Sequence, residues 1–260
     1  MSPWRFALFT GALARHNAGG MTAITFALPD ESRELAHALR HSGKAGASPC
    51  EALLGNLGSH ELLLFHTGMG EARTRERLAR FLGEYPVERV ISAGYAGGLS
   101  PVLPAGALFL ARNFSTPEWL DTAETVLKGR AFLGKLATSP SVLETPAEKA
   151  WLAQETGADA VDMETAAIHA LCREKGVPLL SLRVISDTAR EELAVPFSVC
   201  FDAARERPRP GALLRFLLRH PSRVPGFLQF ILAMNRARQT LAKSLVELLE
   251  AVPDAHAGKR

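Results

Sequence analysis

Short, continuously apolar segments alternate with amphipathic ones along this chain, and that alternation constrains its fold more than any other feature. TAITFAL (22–28), ELLLFHT (61–67), VERVISAG (87–94), GALFLAR (106–112) and VPLLSLRVIS (177–186) read as strands. Between them lie RELAHALRH, EARTRERLARFL and PAEKAWLAQETG, which carry helical periodicity. Strands that are apolar throughout are buried on both faces, and helices that connect them favour parallel pairing. The expected fold is therefore α/β, a single domain with a mixed, mainly parallel central sheet flanked by helices. In such sheets ligands sit beyond the carboxyl ends of the strands. That rule selects four stretches, PDE after the first strand, TGMG after the second, GYAGG after the third and SDT after the last.

A chain of 260 residues can bury roughly three quarters of its unfolded surface, enough for one large core. Strand pattern begins at Met21. Residues 1–20, with Arg5, an apolar run from Phe6 to Ala14 and Ala-Leu-Ala at its end, have the outline of a signal peptide but are read as an extension outside the fold. The domain is expected over 21–204, with a helical extension, 205–260, packed on it. That extension carries nine Arg and Lys between Arg205 and Lys243 against Glu206 alone. Two readings follow: helices laying apolar stripes on the sheet with solvated arginines, or a basic amphipathic surface in peripheral contact with an anionic membrane or an apolar substrate. No apolar run is long enough to span a bilayer. Formal net charge is only +3, which gives no case for nucleic acid. Cys50, Cys172 and Cys200 are scattered and read as free thiols in a reducing, cytoplasmic compartment.

Several chemistries lack their motifs. There is no G-x-G-x-x-G, no G-x-x-x-x-G-K-[ST] and no G-x-S-x-G. His37 and His41 have an i, i+4 spacing that would suit a metal on one helix face, but no third ligand accompanies them. No metal or cofactor is expected. Carboxylates are more informative. AVDMETAAIHAL (160–171) reads as the start of a buried helix, yet Asp162 and Glu164 stand at its mouth, where unpartnered acids are costly. Asp187 closes the last strand and Glu31 follows the first. All four fall on one side of the expected sheet, as a candidate acid–base set. His169, one turn into the helix, reads as a packed histidine.

HTGMGEARTRERLARFL, VISAGYAGGLSPVLPAGALFL and AVDMETAAIHALCREKGVPLLSLRVISDTA together resemble the purine nucleoside phosphorylase and nucleosidase superfamily. The likeness is nearest to its methylthioadenosine/S-adenosylhomocysteine nucleosidase branch and covers roughly 24–189. It implies the nucleoside phosphorylase fold and hydrolysis of the N-glycosidic bond of an adenine or related purine nucleoside. By this resemblance Glu164 receives the ribose 2′ and 3′ hydroxyls and Met163 packs on the sugar. Asp187 would protonate purine N7, with a pKa raised by a dry apolar rim, and Ser186 would hold it in place. Glu31 would activate the attacking water, which Thr67 would help position. Arg183 would orient that water or balance Glu31, or else form a structural ion pair. Gly68, Ala96 and Gly97 in the two glycine-rich loops, with Val142 and Leu143, would line the substrate. Asp162 receives no family role and reads as a helix N-terminal residue.

The chain departs from the branch in two places. Val142 and Leu143 stand where an aromatic ring would cover the base, and the basic, apolar C-terminal extension is additional. The extension resembles that of the hopanoid-associated phosphorylase-like group, which implies an adenosylated triterpenoid as an alternative substrate. A phosphate-dependent phosphorylase and a non-catalytic nucleoside-binding protein are further alternatives. Arg33, Arg73 and Arg75 lie near the loops where phosphate would bind, whereas Glu31 would repel it. The resemblance also implies a homodimer or larger homo-oligomer.

Overall fold

A computed structural model describes residues 21–48, 50–58 and 60–251. The expected extension 1–20 lies outside them. The described residues form a sheet built around four parallel strands: β1 (Met21–Phe26), β4 (His60–His66), β5 (Val87–Gly98) and β10 (Leu179–Asp187). The sheet runs β2 (Arg40–Ala45), β3 (Ala52–Leu57), β4, β1, β5, β10, β6 (Leu108–Ala111), β7 (Ala131–Gly134). A hairpin of β2 and β3 extends one edge in antiparallel fashion. At the other edge β6 runs antiparallel to β10 and is joined by β7. Two further short strands, β8 (Leu136–Thr138) and β9 (Ala160–Asp162), pair with each other, and β9 closes against the end of β5.

The apolar strands divide their side chains between two faces, as a period of two requires. Ile24, Phe26, Leu62 and Leu64 face one core; Ala23, Leu63 and Phe65 face the other. On the first face lie α1 (Pro29–Ala38), α3 (Pro117–Val126) and α8 (Val224–Ala251); on the second lie α2 (Glu71–Glu84) and α5 (Thr165–Lys175). Helix α4 (Pro146–Thr156) begins with a capping box at Thr145 and ends at Gly157 in the left-handed region (φ 63°). Short α6 (Phe197–Cys200) and α7 (Pro210–Arg219) lead into α8.

Three expectations are corrected here. GYAGG is not a turn: β5 runs through it to Gly98, because β9 and β10 supply partners on both sides. The stretch 160–171 does not begin as a helix. Ala160–Asp162 is a strand, and α5 starts only at Thr165. His37 and His41 do not share a helix face, since α1 ends at Ala38 and His41 lies in β2 with φ 52°.

The extension divides in two. Ala237, Leu241, Leu245, Leu248 and Leu249 of α8 are buried in the same core as β1 and β10, at the spacing of a single helix stripe. Arg238, only 5% exposed, donates to Asp30 (2.9 Å) and Glu34 (3.2 Å) of α1. Helix α7, by contrast, has no buried residue.

Candidate active site

The carboxyl ends of the parallel strands open into a cavity of about 200 Å³. Glu31, Glu164 and Asp187 all line it, together with Gly97, Val142, Leu143, Met163 and Ser186. A recess of about 10 Å³, lined by Glu31, Thr67, Ser92, Glu164 and Arg183, lies beside it and shares both glutamates. That volume is on the scale of one water molecule.

Pro29 pre-sets the first turn of α1, and Glu31 turns back over that helix start. Its Oε2 accepts from the backbone N–H groups of Ala27 (2.9 Å) and Leu28 (3.1 Å). Burial pushes its pKa above the usual carboxyl range, against the backbone donors and the Arg183 charge, which pull it down. A Cβ on Gly94 would come to 3.4 Å from Glu31 Oε1, an ordinary contact, so β5 passes directly beside this carboxylate.

Glu164 precedes α5, and its Oε1 accepts from the Gly70 N–H (2.9 Å) at the start of α2. Burial first, then the neighbouring Asp162 charge, raise its pKa to about 8. Thr67 is 1% exposed and its hydroxyl stands 3.3 Å from the Phe26 carbonyl and 3.2 Å from that of Gly68.

Asp162 and Arg183 form a buried ion pair, 6% and 3% exposed. Arg183 donates to Asp162 Oδ2 through Nε (3.1 Å) and Nη2 (3.0 Å), and to the Ser92 carbonyl (2.7 Å) and hydroxyl (2.8 Å). Thr138 (3.1 Å) and Thr165 also donate to Asp162. Asp162 is therefore the buried end of β9 and the partner of Arg183, and it also serves the helix start, its Oδ1 accepting from the Thr165 N–H (3.3 Å). Arg183 has the ion pair of its structural reading and still faces the recess.

Asp187 lacks the dry apolar rim expected for it. Lys149 of α4, 1% exposed, donates to its Oδ2 and also to the carbonyls of Thr188 and Glu191 (2.8 Å each). Three N–H groups thus meet three acceptors. Ser186 Oγ lies within hydrogen-bonding distance of both Asp187 Oδ1 and the Ala96 carbonyl (3.1 Å). Lys149 was not legible as a site residue, because PAEKAWLAQETG reads as a surface helix.

Gly68 and Ala96 do not line the cavity. Gly68 holds a positive φ (80°), and an added Cβ would collide with Arg73, Arg77 and Glu206. Glu206 accepts from the Met69 N–H (2.8 Å) and pairs with Arg73 (3.2 Å) and Arg77 (2.9 Å). Ala96 is core. His169 packs its ring against Phe114, centroids 5.3 Å apart. The sequence also hid the wall opposite the sheet, where Leu193, Phe197, Phe230 and Met234 face the cavity. The last two come from α8.

The phosphorylase superfamily model matches residues 22–124 and 112–219. This chain belongs to the phosphorylase superfamily. Among curated proteins, the 5′-methylthioadenosine/S-adenosylhomocysteine nucleosidase of Bacillus cytotoxicus is 26% identical over 212 residues, covering 70% of this chain and 92% of that protein. The Campylobacter jejuni enzyme of the same name superposes with a TM-score of 0.68 at 19% identity, over 90% of this chain and all of that one. A futalosine hydrolase mutant of Helicobacter pylori gives 0.69 at 18% identity, with the same coverage. At these identities the superpositions establish the superfamily's fold.

Proposed function

We propose that this chain is a nucleosidase that hydrolyses the N-glycosidic bond of a purine nucleoside to free base and sugar. The observation that carries the reading is the convergence of Glu31, Glu164 and Asp187 on one cavity with a water-sized recess at Glu31. The name of the Bacillus relatives supports an adenine nucleoside.

Water in the recess would give a proton to Glu31 as it attacks the anomeric carbon, with Thr67 and Arg183 on the recess wall. Burial raises the pKa of Glu31 and brings the carboxylate closer to the proton it must accept. Glu164 would receive the ribose hydroxyls, and ionises to do so. On the far side the N-glycosidic electrons leave with the base, which takes a proton at N7 through Asp187. The buried Lys149 ammonium beside Asp187 is the nearest store of that proton.

Two observations favour water over phosphate. The water-sized recess is bounded by Glu31, whose charge would repel a phosphate ion, and the nearby cations are engaged: Arg183 by Asp162, Arg73 by Glu206, and Arg75 by Glu174 (3.7 Å). Arg33 pairs with Asp30 and Glu34 on the outside of α1. The apolar wall from Leu193 to Met234 suits an apolar 5′ substituent, which keeps the adenosylated triterpenoid as a second reading. A homo-oligomer, implied by the family resemblance, and a cytoplasmic location, suggested by three free cysteines, belong to the same proposal.

The Asp187→Asn variant separates a catalyst from a binder. Base release is expected to fall by about 10²–10⁴ while affinity for methylthioadenosine is retained. An unchanged rate, or loss of affinity alone, would overturn the assignment.

A further inference from the structure

Helix α7 has the sequence PGALLRFLLR, yet none of its residues is buried. Leu214 is 60% exposed and Leu218 74%. Beyond the 3-10 turn Pro221–Arg223, the first half of α8 exposes Leu228 (56%), Ile231 (41%) and Leu232 (57%). Most large apolar side chains that the described residues expose are gathered here. Apolar helix faces this open mark an interaction surface.

The charges around them decide what covers the surface. From Arg207 to Lys243 the chain has no Asp or Glu. Arg215, Arg219, Arg223 and Arg236 are exposed beside the exposed leucines; Arg223 reaches Glu192 at 3.1 Å. A second copy of the chain would bring arginine against arginine across a twofold contact, with no carboxylate on α7 or on α8 before Glu247 to offset them. An anionic lipid surface satisfies both parts of the pattern, taking leucines among the acyl chains and arginines at the headgroups. No helix of the described residues is long and apolar enough to cross a membrane, so the contact is peripheral. The second half of α8 is buried in the core and Arg238 ties it to α1, and the exposed half continues the same helix.

We propose that the exposed faces of α7 and of α8 up to Arg236 are a docking surface for an anionic bilayer. Phe230 and Met234 on the same half of α8 line the cavity, so docking sets the cavity wall beside the lipid. The proposal does not depend on which reaction the cavity performs.

The test is co-sedimentation of the full chain with vesicles of phosphatidylglycerol and phosphatidylcholine, and with phosphatidylcholine alone. Retention on the anionic vesicles is expected to exceed that on neutral ones at least tenfold and to fall at high salt. Two combined variants, L214S/L218S/L228S/I231S/L232S and R215Q/R219Q/R236Q, should each lose about tenfold while keeping the parent circular dichroism and melting temperature. No retention, equal retention on neutral vesicles, or a concentration-dependent dimer that the serine variant abolishes would each overturn the proposal.

Discussion

Lys149 donates to Asp187 from a position where 1% of the lysine is exposed, and the same ammonium anchors the two carbonyls that follow the aspartate. Removing it leaves a buried carboxylate without its cation, a defect that costs about 3–5 kcal/mol. Lys149→Met should therefore lower the melting temperature and reduce base release by about 10² or more. Lys149→Met combined with Asp187→Asn should recover most of the stability and none of the activity. Recovery of activity in the double variant would contradict the pairing.

Glu31→Gln separates the reaction from the fold. The amide oxygen can still accept from Ala27 and Leu28, so thermal stability should change little. It cannot take a proton from water, and the turnover rate is expected to fall by about 10²–10⁴ with KM nearly unchanged. A matching loss of stability would mean that Glu31 acts as a helix cap instead.

The Glu164 carboxyl gives a pH dependence whose sign is fixed. Its pKa lies at 4.5 when unperturbed and at about 8 in the folded protein. The folded state therefore holds the extra proton between those values, and stability falls as pH rises through that window. Glu164→Gln removes the effect. It should exceed the parent in stability near pH 9 by on the order of 3–5 kcal/mol, with the gain vanishing toward pH 4. Nucleoside affinity of the parent should rise up to about pH 8 and then level, because accepting two hydroxyl protons requires the carboxylate. Denaturant unfolding and calorimetry across pH read both trends.

Arg183 lines the recess and Asp162 the cavity, and their pairing is structural in the first instance. Arg183→Met is expected to cost about 3–5 kcal/mol in chemical unfolding. Arg183→Lys should recover less than half, since a compact ammonium has no planar fork with which to reach Asp162 and both oxygens of Ser92 from three separate nitrogens. An Arg183→Met protein of normal stability would contradict the buried pair.

The parallel core was legible because Ile24, Leu63, Ile91 and Leu180 sit in runs with no polar alternation, which only a doubly covered sheet buries. The same logic placed Glu31, Glu164 and Asp187 at one end of that sheet. Short strands were not legible. Ala160–Asp162 is too brief to show a period, and the glycines of β5 look like a turn until β9 is known to pair with them. Lys149 escaped for a related reason: a lysine on an amphipathic helix is ordinarily solvated, and only the tertiary position of Asp187 draws it inward. Phe230 and Met234 could be placed on a helix, but not on the side of it that meets the cavity.

Product analysis tests the central claim most directly. Methylthioadenosine, adenosine and inosine would each be incubated with the protein, with and without inorganic phosphate, and the products weighed by mass spectrometry. The account predicts free base and free sugar at rates that phosphate does not alter. Sugar 1-phosphate formed only when phosphate is present would contradict the role given to Glu31 and its recess.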